Sequence, residues 1–155
     1  AHAVKLEGGA RVVPQIKKLV AAGIPVMGHL GLTPQSVHAL GGFKVQGRGD
    51  DAARIIEDAK ALEAAGVFAL VLELVPAELA EQITAELSIP VIGIGAGAKC
   101  DAQVLVWTDL MGITKNAPKL AKAYRNLRIE MLNAAKEYAN DVSSGQFPGP
   151  EQTFH

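Results

Sequence analysis

The chain has 155 residues, a formal net charge of -1 and 49% hydrophobic residues, which is material for one ordinary domain and argues against disorder. Acidic and basic residues are interspersed, so there is no basic stripe to neutralise a nucleic-acid backbone. No apolar run approaches the ~18 residues of a membrane span. Cys100 is the single cysteine, so no internal disulfide can form, and a reducing, cytoplasmic setting is the simplest expectation. No signal peptide is recognisable, and the opening Ala1-His2-Ala3-Val4 already lies in an apolar stretch, as if the chain began in the middle of something.

The first expected strand is Ala3–Leu6, followed by a helix over Arg11–Ala22 with Val12, Ile16, Leu19 and Val20 on one stripe. A second strand, Pro25–Gly28, leads to Thr33-Pro34, which reads as a helix cap with proline in the first turn. Gly41 to Gly49 holds four glycines in nine residues and reads as a loop, either a binding loop or lid or an oligomer contact. Asp50 is placed to cap a helix that runs through Ala65 and stops at Gly66. Phe68–Leu72 is the third strand, and Pro76 opens a helix through Leu87. Strands four and five are expected at Pro90–Ile94 and Gln103–Trp107. Asn116 and Pro118 then open a long helix over 117–139, striped by Leu120, Tyr124, Leu127, Met131 and Tyr138, before an irregular tail.

Strands alternating with helices indicate parallel β/α architecture with both sheet faces covered. An open doubly wound sheet and a closed barrel both fit. Polar residues recur at the C-terminal ends of successive strands (Lys5 and Glu7, His29, Glu73), which favours the barrel, because every barrel strand points that end at one mouth. A full (β/α)8 TIM barrel takes about 250 residues. The expectation is therefore about the last five strands of one: residues 1–155 form the C-terminal part of a single barrel domain, with a C-terminal helix and tail over 117–155.

Glu73 stands out. It lies in the otherwise apolar run Val67 to Val75, where a carboxylate costs several kcal/mol unless paired or protonated. Strand periodicity puts Lys5 and Glu7 on one face and Val4 and Leu6 on the other. If the latter meet helices, the charged pair points into the barrel, either for chemistry or to seal its interior. His29 closes a strand between Gly28 and Leu30-Gly31 and can donate to a substrate oxygen or serve structurally. Ile92-Gly93-Ile94-Gly95-Ala96-Gly97 can cradle a phosphate or make room for a bulky ligand, but it is not a complete dinucleotide fingerprint. Cys100-Asp101 offers no metal-ligand spacing, and Cys100 reads as structural.

Several of these segments resemble the 3-methyl-2-oxobutanoate (ketopantoate) hydroxymethyltransferase family. They are Lys5-Leu6-Glu7-Gly8-Gly9, Gly28 through Gln35, Lys44-Val45-Gln46-Gly47-Arg48, Leu72-Glu73 with Val75-Pro76, Ile89 through Gly97, Phe147-Pro148-Gly149 and Phe154-His155. The resemblance implies a (β/α)8 barrel, a homo-oligomer and a place in pantothenate and coenzyme A biosynthesis. It implies transfer of a hydroxymethyl group from 5,10-methylenetetrahydrofolate to 3-methyl-2-oxobutanoate, with a divalent metal, usually magnesium (Mg2+), holding the 2-oxo acid. Glu73 matches the proton acceptor, Lys5 a substrate-binding lysine, and Glu7 an acidic residue of the metal site, reached through water. His29 lies in an active-site motif and is taken as substrate-binding. The family's principal metal-ligating aspartates lie on strands before the Lys5 segment and have no counterpart here, so another chain carrying the first strands is one expected partner. Two other readings remain: a different metal-dependent barrel enzyme of 2-oxo acids, of lyase or mutase type, and a non-catalytic barrel fragment.

Overall fold

The computed structural model describes residues 1–154, which fall into two compact units, Ala1–Val104 and Leu105 onward. The first unit holds a five-stranded sheet: β1 Val4–Glu7, β2 Val26–Gly31, β3 Ala69–Glu73, β4 Val91–Ile94 and β5 Ala102–Gln103. All neighbours pair in parallel, and the spatial order is simply β1-β2-β3-β4-β5. A doubly wound sheet reverses its strand order at a switch point. No reversal occurs here, so the topology is that of consecutive barrel units.

Helices α1 (Val13–Ala21), α2 (Asp51–Ala64) and α3 (Ala77–Glu86) pack on one face. That face carries the core: Val26, Leu30, Leu70, Leu72 and Val91 from the strands meet Ile16, Ile55, Leu62, Leu79 and Ile83 from the helices. Each such side chain contributes about 1.5–3 kcal/mol by leaving water. Leu6 packs against this cluster, as the alternation along β1 requires. The opposite face carries Lys5, Glu7, Met27, His29, Val71 and Glu73, by the same alternation and the parallel register.

Several boundaries differ from expectation. The helix expected over Arg11–Ala22 begins as a 3-10 turn, Ala10–Val12, and becomes α-helical only at Val13. Thr33-Pro34 opens only a 3-10 turn, Pro34–Ser36, without a side-chain cap bond. Asp50 does not cap α2: its backbone is already helical (φ -63°, ψ -20°). Its neighbour Asp51 turns back instead and accepts from the Gly47 N–H at 2.9 Å. Pro76 precedes α3 rather than standing in its first turn. The fifth strand, Ala102–Gln103, begins one residue earlier and is shorter than Gln103–Trp107, and Trp107 instead opens the short helix α4, Trp107–Leu110.

In the second unit the long helix α5 spans Leu127–Ser144, not 117–139. Tyr124 just before it, and Leu127 and Arg128 at its start, spend their backbone N–H groups on α4 and the turn after α4. Tyr124 N donates to Leu110 O, Leu127 N to Met111 O and Arg128 N to Gly112 O. Gly112 makes this approach possible, since a Cβ there would stand 2.0 Å from Arg125 O. At the other end Gly145 adopts φ 72° and closes α5 in a left-handed cap. Tyr138 and Phe147 then meet edge to face, ring centroids 5.3 Å apart.

Candidate active site

The parallel register sets Glu7 beside His29 and Gly31 beside Glu73, near the C-terminal ends of three adjacent strands. Lys5 lies two residues back, on the same face. Its ammonium reaches His29 Nδ1 at 3.3 Å, and Glu7 Oε1 lies 3.7 Å from that nitrogen. On the other side of the ring, His29 Nε2 is 3.1 Å from Glu73 Oε2. The four residues singled out in the sequence therefore form one cluster around His29, which is 1% exposed. The second oxygen of Glu7 accepts from the Gln35 N–H at 3.1 Å, tying the loop after β2 to the end of β1.

Glu73 is not in mid-strand. Burial along β3 is complete through Leu72 and relaxes at Glu73, whose side chain is 14% exposed. Its backbone is tightly held. Leu32 N donates to Glu73 O at 2.8 Å, and a Cβ on Gly31 would stand only 2.1 Å from that oxygen. Gly31 also has φ 88°, so its glycine identity is required on both counts. Leu74 follows with φ 47°, a left-handed conformation that costs a leucine about 1–2 kcal/mol. Two bonds hold it there: its N–H donates to Ile94 O, and its carbonyl accepts from Gln46 N, both at 2.9 Å. Strain of this kind concentrates at functional sites. It also anchors the glycine-rich loop beside Glu73, while Phe43 near the loop's middle is 76% exposed.

The family profile described as Ketopantoate hydroxymethyltransferase matches residues 1–150. The chain belongs to this family. It is 59% identical over 154 residues to 3-methyl-2-oxobutanoate hydroxymethyltransferase of Acidothermus cellulolyticus, covering 99% of this chain and 57% of the relative. Against the proteins of that name from a Nocardioides species and from Mycobacterium ulcerans, identity is 56% and 59%, over 99% of this chain and 52% of each relative. The chain thus spans about half the length of the curated relatives it matches. The hydroxymethyltransferase family is one of TIM barrels, and the five strands here are a portion of one. No helix among the described residues is long and apolar enough to cross a membrane.

Asp58 is a residue of this family member that the sequence reading passed over. It lies on α2, 8% exposed, and its Oδ1 accepts from Ala10 N at 2.7 Å while Arg54 Nη1 donates to Oδ2 at 3.1 Å. Gly9 leaves the space it fills, since a Cβ there would stand 2.0 Å from the Asp58 carboxyl carbon. Asp58 thereby fixes the turn that follows Glu7. The only sequence signal was an acid in line with the buried stripe of α2, next to Ile55, Ala59 and Leu62. Beside it opens a cavity of about 230 Å³, bounded by Gly8, Leu30, Gly31, Thr33, Gln46 and Asp58 among others. It lies on the Leu30 side of β2, whereas His29 faces the other way.

Packing accounts for two of the glycines after β4. A Cβ on Gly93 would meet Cys100 Sγ at 2.9 Å, and one on Gly97 would meet Ala77 Cβ at 2.6 Å. Cys100 packs against the core, and burial pushes its thiol above the ordinary cysteine range. A thiol raised in this way stays protonated at neutral pH and is a poor nucleophile. Asp101 accepts from Val91 N at 2.8 Å, so it holds the start of β4.

Among the described residues, no three His, Cys, Asp or Glu side chains converge at metal-ligand spacing. Glu7 commits one oxygen to Gln35 and has one left, and His29 separates it from Glu73. A divalent ion held by this chain alone does not fit these residues.

Proposed function

We propose that this protein takes part in hydroxymethyl transfer from 5,10-methylenetetrahydrofolate to 3-methyl-2-oxobutanoate, giving 2-dehydropantoate, with Glu73 as the base. The observation that carries the reading is the convergence of Lys5, Glu7 and Glu73 on the buried His29, at the mouth end of three parallel strands. The family's membership and the names of its relatives support the reaction class.

The carbon next to the 2-oxo group bears a weakly acidic proton. Glu73, at the end of its strand and partly open, takes that proton. Lys5 places positive charge near the oxygens on which the enolate's negative charge develops. The enolate carbon then forms the new carbon–carbon bond with the one-carbon unit of the folate. Both carbon–nitrogen bonds of that unit break, and water supplies the hydroxyl. The two nitrogens take up the C3 proton and the water's other proton, and tetrahydrofolate leaves. Glu7 keeps one oxygen free and serves a site for Mg2+ or another divalent ion, through water. The principal ligands of that site are not among these residues, so no step is assigned to the ion. We place the protein in the cytoplasm, in pantothenate biosynthesis, and in a homo-oligomer or an assembly in which the remaining strands complete the barrel.

The test follows the substrate's C3 hydrogen in heavy water, in the assembly that supplies the rest of the barrel and a divalent ion. Exchange is expected with the unaltered chain. With Glu73→Gln, exchange is lost while 3-methyl-2-oxobutanoate still binds. Undiminished exchange in that variant removes Glu73 from the role of base. Exchange without folate-dependent product would point to a lyase or mutase instead.

A further inference from the structure

His29 touches every charged member of the cluster, and its ring nitrogens are not equivalent. An ammonium carries three donors and no acceptor, so the Lys5 contact at 3.3 Å requires Nδ1 to be the acceptor. A neutral imidazole that accepts at Nδ1 carries its proton on Nε2. That N–H is buried and has no aligned hydrogen bond. The nearby acceptor is Glu73 Oε2, 3.1 Å away but out of line. Catalytic hydrogen bonds are commonly long or poorly aligned before substrate binds and tighten in the complex. The Glu73 backbone has little freedom to adjust, pinned by Leu32 N on one side and by the left-handed Leu74 on the other. What remains to be set is the side-chain rotamer.

We propose that His29 is a positioning residue for Glu73. The Lys5 ammonium fixes the imidazole in its Nε2–H tautomer, and that N–H holds one carboxylate oxygen, so that the other faces the substrate's C3 hydrogen. This rests on the reading of Glu73 as the base. It departs from a role for His29 in binding substrate. The ring is 1% exposed, and a substrate oxygen would reach Nε2 only by displacing Glu73.

Two measurements test it. The first needs no activity: imidazole nitrogen NMR on histidine-labelled protein, with His29 assigned by the signal missing from His29→Gln. The expected pattern is a neutral ring protonated at Nε2, with that preference lost in Lys5→Met. A ring protonated at Nδ1, or a tautomer indifferent to Lys5→Met, overturns the proposal. The second is kinetic. His29→Asn, whose amide mimics only the Nδ1 position, is expected to lower the C3 exchange rate about 100-fold, the effect of misplacing a reacting group by about 1 Å. His29→Gln, which can return an N–H near the Nε2 position, is expected to recover much of that loss, and KM stays close to its original value in both. A raised KM with an unchanged rate assigns His29 to substrate and overturns the proposal. Should Glu73→Gln retain exchange, the base assignment fails, while the nitrogen spectrum still reports the tautomer separately.

Discussion

Strand β3 carries its two jobs on opposite sides. Leu70 and Leu72 are sealed beneath the helices, each 0% exposed, while Glu73 turns to the other face with Gly31 and His29 alongside. The helix-facing side is apolar and close-packed, and its side chains act by volume. The other side concentrates charge at one end, and its side chains act by direction: Lys5 to Nδ1, Nε2 to Glu73, Glu7 to Gln35. The packed face therefore tolerates a change of volume badly, and the charged face a change of chemistry or direction.

The sharpest way to test that division is Glu73→Gln, which hardly alters volume. It should cost about 10²–10⁴-fold in C3 exchange and leave the urea unfolding midpoint nearly unmoved. A large fall in the midpoint would mean that the charged face carries stability too. The mirror case is Leu72→Ala, beneath α2 and α3. Creating that cavity should cost about 2–5 kcal/mol, read as a lower urea midpoint. Gly31→Ala sits on the seam between the two behaviours. The left-handed backbone alone should cost about 1–2 kcal/mol, and the new Cβ would press on Glu73 O. Stability and exchange should therefore fall together, and a loss in only one would separate the faces more cleanly than the structure does.

The smallest effect expected is at the edge of α2. The hydrogen bond from Arg54, with help from the Gly47 N–H, holds the Asp51 carboxyl below the ordinary aspartate range, against a smaller opposing effect of burial. A depressed pKa adds stability that is present above the unfolded-state value, about pH 4. It is lost as acid carries the pH down through the lowered folded-state value. The urea midpoint should therefore fall more between pH 7 and pH 3 in the original chain than in Asp51→Asn. Equal slopes would leave Asp51 with no linkage. The Asp51 side chain is 36% exposed and its Arg54 partner 59%, so solvent screens the pair and the difference will be small.

Local patterns were legible where local rules decide. The five strands were recognisable because short apolar runs bounded by glycine and proline have few other uses, and β1 to β4 lie within a residue or a few of where the pattern puts them. The opposite faces of Lys5 with Glu7 and Val4 with Leu6 followed from period-two alternation. The failures came where a competing partner took over. The stripe from Leu120 to Tyr138 looked continuous, but Gly112 lets residues near 125 fold against the end of α4, so the helix starts only at Leu127. Asp50 looked like a cap, but its own backbone is helical and Asp51 turns back to Gly47 instead. Asp58 was missed because one acid on a helix is usually solvated, and only the Gly9 gap and the Ala10 N–H explain its burial.

By itself the sequence determined the alternation of strands and helices, the chemistry available at the strand ends and Glu73 as the carboxylate to watch. These depend on residue type and on the two- and 3.6-residue periods, which are properties of the local chain. Only the tertiary structure decided that His29 stands between Lys5 and Glu73, 3.3 Å from one and 3.1 Å from the other. Those contacts span 24 and 44 residues of chain, as the numbering shows, and exist because parallel strands in simple order bring their C-terminal ends side by side. The same register, with Gly31 pressed against the Glu73 backbone, turned Glu73 from a carboxylate in a buried run into one held at the open end of its strand.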